Sequence, residues 1–130
     1  MKIGSANVVA LVLALGVPPG AQAEPSAVTQ QEVNALLASI ERSGCGFYRN
    51  GSWYNSKRAQ AHLREKYNYL AGRNLIDIAE DFIEKGATES SVTGTPYKVR
   101  CSGREAVPSS QWLRDELARY RELQLKGGNG

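Results

Sequence analysis

The chain has 130 residues, of which 42% are hydrophobic and 22% charged, a composition typical of one small globular domain and unlike that of a disordered chain. Its 16 Lys and Arg residues exceed its 13 Asp and Glu residues by a formal charge of only +3, which is too weak to indicate a nucleic-acid partner. One histidine and two cysteines exclude a His-rich metal cluster, a four-cysteine zinc site and a haem-attachment pair, so we expect no metal and no cofactor.

The first 23 residues have the pattern of a secretory signal peptide. Lys2 gives a positive start, the segment from Val8 to Val17 is apolar, and Ala21-Gln22-Ala23 is a small-x-small cleavage site. The apolar run is about half as long as the roughly 20 residues that a membrane-crossing helix needs, so a retained anchor is the weaker interpretation. We therefore expect cleavage after Ala23, a periplasmic location and no stable membrane insertion of the mature chain.

The two cysteines are predicted to form one disulfide. Export would place Cys45 and Cys101 in an oxidising compartment, where a lone cysteine pair in a small domain is most simply bonded. A redox-active pair is more often spaced C-x-x-C at the start of a helix, so we favour a structural role. In the chain-entropy model, closing the loop between Cys45 and Cys101 stabilises the fold by about 4 kcal/mol.

A helix and a hairpin are the first predicted elements after a linker at residues 24–28. Thr29-Gln30-Gln31-Glu32 has the pattern of a capping box, and Gly44 marks the end of the helix. Between them four apolar residues recur at helical spacing: Val33, Leu36, Leu37 and Ile40. Asn50-Gly51 supplies the two positive-φ residues of a type I′ turn between aromatic-rich arms over residues 47–54, which predicts the hairpin.

Two more helices are predicted before residue 87. The second begins at Asn55 or Ser56 and stops at Gly72, and its buried stripe consists of Ala59, Leu63, Tyr67 and Leu70. The third follows Asn74 and stops at Gly86, with an apolar face formed by Leu75, Ile78, Ala79, Phe82 and Ile83.

A strand and a fourth helix complete the predicted fold. Apolar Tyr97, Val99 and Cys101 alternate with charged residues, and a bond from Cys101 to Cys45 would place this strand beside the hairpin. The last helix is predicted to be capped by Ser109, to bury Trp112, Leu113, Leu117 and Tyr120, and to carry the ion pairs Asp115–Arg119 and Glu122–Lys126. The fold class is therefore α+β, with about four helices, a three-stranded antiparallel sheet and one disulfide. We expect one domain over residues 24–126 and a disordered tail at residues 127–130.

Four short motifs resemble the YfeK-like family of small exported bacterial proteins over nearly all of the mature chain. They are Phe47-x-Arg49-Asn50-Gly51, Ala61-His62-Leu63-Arg64-x-Lys66, Ala79-x-x-Phe82-Ile83-x-Lys85 and Ser90-Ser91-x-Thr93-Gly94-x-Pro96-Tyr97. The family is uncharacterised, so the resemblance implies a periplasmic location and no particular activity. No functional residue is carried over from it.

The candidate binding surface combines one stripe of the second helix with the loop that follows the third. His62, Lys66, Tyr69 and Arg73 recur at spacings of four, three and four, which places positive groups and an aromatic ring on one side. The loop contributes Ser90, Ser91, Gly94 and Tyr97 as hydrogen-bonding and aromatic groups. Such a surface suits a carboxylate or a phosphate. The simpler interpretation, which we favour for the stripe, is a solvated helix edge with Lys66 and Arg73 lying over the core.

Three other groups of residues have weaker chemical interpretations. Ser90 or Ser91 could offer a hydroxyl nucleophile to His62, but a G-x-S-x-G elbow and an orienting acid are missing. The four acids of the third helix, Asp77, Glu80, Asp81 and Glu84, are more typical of a solvated face than of paired catalytic carboxylates. The rings of the hairpin, Tyr48, Trp53 and Tyr54, are expected to pack on the two faces of the sheet rather than to stack on a ligand.

These observations favour a non-catalytic binding or accessory protein of the cell envelope, whose partner is an envelope protein or an anionic envelope component. A small hydrolase or transferase that uses His62 with a serine or carboxylate partner is the first alternative, and an inhibitor of a secreted enzyme that presents the loop at residues 90–97 is the second. The observation that separates catalysis from binding is whether His62 lines a pocket with such a partner within reach.

Overall fold

Four helices and four short strands make up the part of the chain that a computed structural model describes, residues 24–128. In chain order they are α1 (Ala27–Ser43), β1 (Gly46–Arg49), β2 (Ser52–Tyr54), α2 (Ser56–Gly72), α3 (Ala79–Gly86), β3 (Lys98–Arg100), β4 (Val107–Pro108) and α4 (Ser109–Gly128). The predicted signal peptide at residues 1–23 lies outside the described residues, as do Asn129 and Gly130 of the predicted tail. None of the described helices is long and apolar enough to cross a membrane.

The sheet is antiparallel, with strand order β2-β1-β3-β4. The hairpin turns at Asn50 and Gly51, whose φ angles of 49° and 87° confirm the predicted positive-φ turn. The α+β class is confirmed, but the predicted count of three strands is wrong, because residues 107–108 add a fourth strand beside β3. A two-residue segment with a proline carries no alternation signal, and proline is tolerated there because β4 is an edge strand.

The disulfide between Cys45 and Cys101 is present, with the two Cα atoms 4.3 Å apart. It joins the residue before β1 to the residue after β3. Gly46 pairs with Arg100 and Phe47 pairs with Val99 in the adjoining ladder. The predicted placement of the strand beside the hairpin is therefore confirmed.

The core lies between the helices and one face of the sheet. Helix α1 packs against the other three helices, and four of its side chains, Val33, Leu36, Leu37 and Ile40, are fully buried. Phe47 and Val99 point from the sheet into this core, and the Phe47 ring meets the Trp112 ring of α4 edge to face at 6.0 Å. The alternation of strand side chains leaves Lys98 and Arg100 on the opposite, exposed face.

Helix α1 begins earlier than predicted. Its N-cap is Ser26, whose hydroxyl oxygen accepts a hydrogen bond from the Thr29 backbone N–H at 3.1 Å. The predicted capping box at Thr29 is therefore wrong, since Thr29 lies inside the first turn and donates its hydroxyl to the Asp77 carbonyl at 2.8 Å. The predicted stop at Gly44 is confirmed by its left-handed conformation.

Helix α3 begins later than its apolar spacing predicts. Leu75 and Ile78 precede the helix and are 43% and 49% exposed, so they do not belong to its buried face. The Asp81 carboxylate accepts the backbone N–H groups of Asp77 and Ile78 at 2.9 and 3.1 Å. This side chain satisfies the free N–H groups before the first turn and so fixes the start of the helix at Ala79.

Helix α2 is capped by Asn55, as the sequence predicts. Helix α4 has Ser109 as its first residue, one position from the predicted cap role of this serine. On α4 the pair Glu122–Lys126 is present at 3.7 Å. The predicted partner of Arg119 is wrong, because Arg119 contacts Glu116 at 2.6 Å while Asp115 accepts from Gln111 instead. An i,i+3 carboxylate is within the same reach as an i,i+4 one, so spacing alone does not choose between them.

Candidate functional site

Four basic side chains converge on two tyrosines at the junction of α2 with the sheet. We call this group the basic cluster and define it as Arg49, Arg58, His62 and Lys66 around the rings of Tyr54 and Tyr97. Arg49 is the last residue of β1, whereas the other three basic residues occupy positions i, i+4 and i+8 of α2 and so share one side of that helix.

Local sequence places each member of the basic cluster. The Asn55 side chain accepts the Arg58 backbone N–H at 2.8 Å, which fixes the start of α2 directly after β2. The two-residue turn pairs Arg49 with Ser52, so Tyr54 and Arg49 lie diagonally on the same face of the hairpin. This face is the one that packs against α2.

The Tyr54 ring supports both arginines. The Arg49 guanidinium lies 4.9 Å from the ring centroid and the Arg58 guanidinium 5.4 Å from it. Arg49 also approaches His62, with its Nη1 atom 3.3 Å from Nδ1 and 3.4 Å from Nε2. One aromatic ring thus contacts both guanidinium groups, and neither group pairs with a carboxylate of residues 24–128.

The Tyr97 hydroxyl lies between the side chains of His62 and Lys66. Lys66 donates from Nζ to this hydroxyl at 3.1 Å and to the Glu89 carbonyl at 3.2 Å, and Nζ is 5.0 Å from the Tyr97 ring centroid. The His62 Nε2 atom is 3.3 Å from the same hydroxyl. Tyr97 is buried, so its hydroxyl is held in one place by the core beneath it.

Burial and mutual repulsion lower the pKa values of both His62 and Lys66. Burial, and then the charges of Arg49 and Lys66, lower the pKa of His62, against a smaller opposing effect of Glu65. Burial and the Arg49 charge likewise lower the pKa of Lys66, with Glu89 acting in the opposite direction. Burial raises the pKa of the Tyr97 hydroxyl, so the tyrosine remains protonated at neutral pH.

An open groove of about 670 Å³ gives solvent access to the basic cluster. Arg49, Arg58 and His62 line it, together with Asn55, Lys57, Ala61 and Glu65. Within residues 24–128, no member of the basic cluster forms an ion pair with a carboxylate. The groove therefore presents guanidinium donors and positive charge that no carboxylate of residues 24–128 neutralises in an ion pair.

The structure brings together three of the predicted site residues, His62, Lys66 and Tyr97. Arg73 is not among them, because α2 ends at Gly72 and Arg73 adopts a non-helical cap conformation. Its guanidinium stacks on the Tyr69 ring at 4.7 Å. Tyr69 and Arg73 thus form a surface pair with each other.

The other predicted loop residues, Ser90, Ser91 and Gly94, do not line the groove. The buried Ser90 hydroxyl oxygen accepts the backbone N–H groups of Val92 and Thr93 at 3.2 and 3.3 Å. Gly94 has a φ of 75° and donates its N–H to the Ser90 carbonyl at 2.9 Å. Ser91 is exposed at the tip of the loop, away from these hydrogen bonds.

Sequence reasoning missed Arg49, Arg58 and Tyr54. Arg58 precedes His62 by four residues, so extending the helical stripe by one turn toward the N-terminus would have found it. Arg49 and Tyr54 follow from the type I′ register combined with strand alternation, which places both on the face of Phe47. The hairpin register and the spacing along α2 together indicate the position of these three residues.

Several of the side chains considered above as catalytic candidates have other partners in the structure. The hydrogen-bond partners of His62 are Arg49 and Tyr97, and Ser90 is occupied by backbone N–H groups. On α3, Glu80 binds Arg121, and Asp81 caps the helix. Among residues 24–128 no three His, Cys, Asp or Glu side chains are grouped as metal ligands would be.

The outer face of the sheet carries a second set of aromatic and cationic side chains. Arg100 lies 4.1 Å from the Trp53 ring and Lys98 lies 5.4 Å from the Tyr48 ring, while the two rings meet edge to face at 5.3 Å. Trp53 and Tyr54 therefore lie on opposite faces, as their alternation predicts. The cations that contact the Tyr48 and Trp53 rings both come from β3.

Comparison with known proteins places these elements in a family. A model described as a family of unknown function, DUF5329, matches residues 27–121, a range that contains the whole basic cluster. The chain is also similar to the uncharacterized protein YfeK of Salmonella typhimurium, with 39% identity over 92 residues. The aligned segment covers 70% of this chain and 75% of the relative. No solved structure matches the chain.

Proposed function

The chain belongs to the DUF5329 family, as its resemblance to YfeK-like proteins indicates, and from that premise we propose that it is a non-catalytic, anion-binding accessory protein of the cell envelope. One observation carries the proposal: Arg49, Arg58 and His62 line one groove, Lys66 joins His62 through the Tyr97 hydroxyl, and none of the four is ion-paired among the described residues. The ligand is an anionic group of an envelope component.

The energetics of the basic cluster support this proposal. Like charges held in contact repel one another, and the repulsion is strongest where burial reduces solvent screening. An anion in the groove would accept from the guanidinium groups and offset that repulsion. Hydrogen bonds of this charge-assisted kind are stronger than neutral ones, and the fork of an arginine matches the oxygens of a carboxylate or a phosphate.

Binding is favoured over hydrolysis because His62 lines a groove without a catalytic partner in contact. Its neighbours are cations and a tyrosine that burial keeps protonated. A histidine with donors around it is poorly placed to remove a proton from a nucleophile. The same arrangement is well suited to hold a negative charge.

The envelope location is supported by the disulfide and by the signal-peptide pattern of residues 1–23. A bonded pair such as Cys45–Cys101 is typical of an oxidising compartment. N-terminal sequencing of protein recovered from the periplasm of an expressing bacterium should give a mature chain beginning at Glu24. Recovery of the chain only from the cytoplasm, with Met1 intact, would contradict the proposed location.

The anion-binding proposal is tested by comparing two double variants of equal net charge. We expect Arg49→Gln with Arg58→Gln to elute from sulfonate and carboxylate resins at a distinctly lower salt concentration than the wild type. The matched control is Arg114→Gln with Arg119→Gln, which removes two exposed charges from α4. Equal elution of the two variants would show that net charge alone governs retention and would overturn the proposed site.

A further inference from the structure

We infer that the group bound in this groove is a phosphate monoester, and that it binds together with one proton taken up from solvent by the His62 imidazole. The inference rests on the proposed anion-binding function and adds the class of ligand and its coupling to pH. It is carried by the hydrogen-bond geometry around the imidazole and by the number of cations that face it.

A neutral His62 fits the hydrogen bonds of this cluster better than an imidazolium does. Lys66 donates to the Tyr97 hydroxyl, and a neutral imidazole with an unprotonated Nε2 accepts the hydroxyl proton at 3.3 Å. Arg49 has only donors, and its Nη1 lies 3.4 Å from that same nitrogen and 3.3 Å from Nδ1. An imidazolium offers no acceptor to either neighbour.

The charges around His62 also favour its neutral form. The charged and titratable groups around it, from the strands and from α2, are the cations Arg49, Lys57, Arg58, Lys66 and Lys98, the carboxylate Glu65, and the tyrosines Tyr54 and Tyr97. Protonation of His62 would therefore add one more positive charge to five cations and a single acid.

A ligand with two negative charges reverses this balance. A phosphate monoester brings nearly two charges and three acceptor oxygens to one point at neutral pH, whereas a carboxylate brings one charge. The Arg49 and Arg58 guanidinium groups, both held on the Tyr54 ring, supply donors for two of the oxygens. A protonated His62 then supplies a third donor, so the dianion stabilises the imidazolium that the surrounding cations disfavour. No bond of the ester is broken, and the only exchange with solvent is one proton.

Isothermal titration calorimetry of the wild-type chain with sodium sulfate provides the primary test. Sulfate remains a dianion throughout the working range, so any proton uptake belongs to the protein. In two buffers of different ionisation enthalpy at pH 7, we expect the heats to differ by an amount that indicates uptake of close to one proton. The affinity should fall by up to tenfold per pH unit as the pH rises from 6.5 to 8.

Matched ligands and one variant complete the experiment. Acetate should bind at least tenfold more weakly than sulfate, and glycerol phosphate should bind at least as tightly as inorganic phosphate at pH 7.5. The His62→Gln variant, which retains a hydrogen-bonding side chain, should bind sulfate more weakly and with heats that do not depend on the buffer.

The failures of the two proposals are distinguishable. If none of these anions binds, the proposed anion-binding function is wrong and the inference falls with it. If acetate binds as tightly as sulfate, if inorganic phosphate binds much more tightly than the ester, or if the wild-type heats are independent of the buffer, the inference is wrong while anion binding stands. The buffer comparison uses wild-type protein and so does not depend on the folding of the variant.

Discussion

Arg121 is the residue that ties three helices together. From α4 its guanidinium donates two hydrogen bonds to Glu32 of α1, at 2.8 and 2.9 Å, and two to Glu80 of α3, at 2.8 and 3.0 Å. These bonds raise the pKa of Arg121, and the bond to Arg121 lowers the pKa of Glu80. Glu32 lies 89 residues away in the sequence and is buried, so neither helical spacing nor composition indicates this contact.

Removing this guanidinium should destabilise the protein. We expect Arg121→Gln to lower the free energy of unfolding by about 2 kcal/mol, because it leaves the buried Glu32 carboxylate without its partner and because the partial exposure of Arg121 moderates the 3–5 kcal/mol typical of fully buried pairs. Urea unfolding followed by circular dichroism measures the change. The control is Arg119→Gln, whose ion pair with Glu116 is exposed and should contribute less than about 1 kcal/mol.

His62 should make stability depend on pH in mildly acidic solution. Because burial holds the pKa of His62 in the folded protein below its ordinary value of 6.5, the unfolded chain binds the proton more readily. The contribution is present in full above about pH 6.5 and is lost as the pH falls toward the folded-state value. Thermal unfolding between pH 7.5 and 5.5 should show a falling midpoint for the wild type. A wild-type curve with the same slope as that of His62→Gln would contradict this prediction.

At the scale of elements, the hairpin turn also positions the loop at residues 90–97. Asn50 adopts a φ of 49°, and its side-chain oxygen accepts the Thr93 hydroxyl at 2.7 Å. Thr93 also contacts the Thr95 hydroxyl at 3.0 Å, so the loop is tied both to itself and to the turn. The turn therefore fixes Arg49 on one side and the loop leading to Tyr97 on the other.

Two substitutions at Asn50 separate its two roles. Asn50→Gly keeps the positive φ accessible and removes the hydrogen bond, so we expect a loss of about 1 kcal/mol. Asn50→Ala removes the bond and also strains the turn, so the loss should be about 2 kcal/mol. Denaturant unfolding of both variants measures the difference. Equal losses would show that the left-handed conformation contributes nothing at this position.

The elements differ in how far their sequence determines them. Helix α2 and the hairpin follow from signals within a few residues, the Asn55 cap and the Asn50-Gly51 turn, and both are confirmed. The start of α3 does not follow from apolar spacing, because it is set by the Asp81 carboxylate and by tertiary packing. Strand β4 is too short to show alternation and forms because β3 offers it an edge.

The same distinction applies to the candidate site. His62 and Lys66 were predictable because one helix determines their relative position. Arg58 lies on the same stripe one turn earlier, whereas Arg49 joins the cluster only through the packing of β1 on α2, which the pattern of neither element alone indicates. Arg73 follows the last residue of α2 and contacts Tyr69.

At the scale of the whole molecule, the disulfide fixes the sheet against a long intervening segment. Cys45 and Cys101 are 56 positions apart, and the chain between them contains β1, β2, α2, α3 and β3. In the chain-entropy model the bond stabilises the fold by about 4 kcal/mol, chiefly by restricting the unfolded chain. A domain of this size has a total stability of roughly 5–15 kcal/mol, so the bond is a large part of it.

Removing both sulfurs should therefore lower stability without changing the fold. We expect Cys45→Ser with Cys101→Ser to lose about 4 kcal/mol, measured by urea unfolding. Free-thiol titration of the unreduced, unfolded wild type should detect no thiol. A reactive thiol in the wild type, or a double variant as stable as the wild type, would contradict the structural role given to this bond.

Nuclear magnetic resonance of the His62 ring tests the account of the basic cluster most directly, because the sequence contains a single histidine and its ring signals are therefore unambiguous in untagged protein. We predict that a pH titration of the ring protons will give a pKa below 6.5 without added anion and a clearly higher pKa in excess sulfate. The Arg49→Gln and Arg58→Gln double variant should show a smaller increase with sulfate than the wild type. A His62 titration curve that is unchanged by sulfate, at salt matched with sodium chloride, would contradict the assignment of this cluster as an anion site.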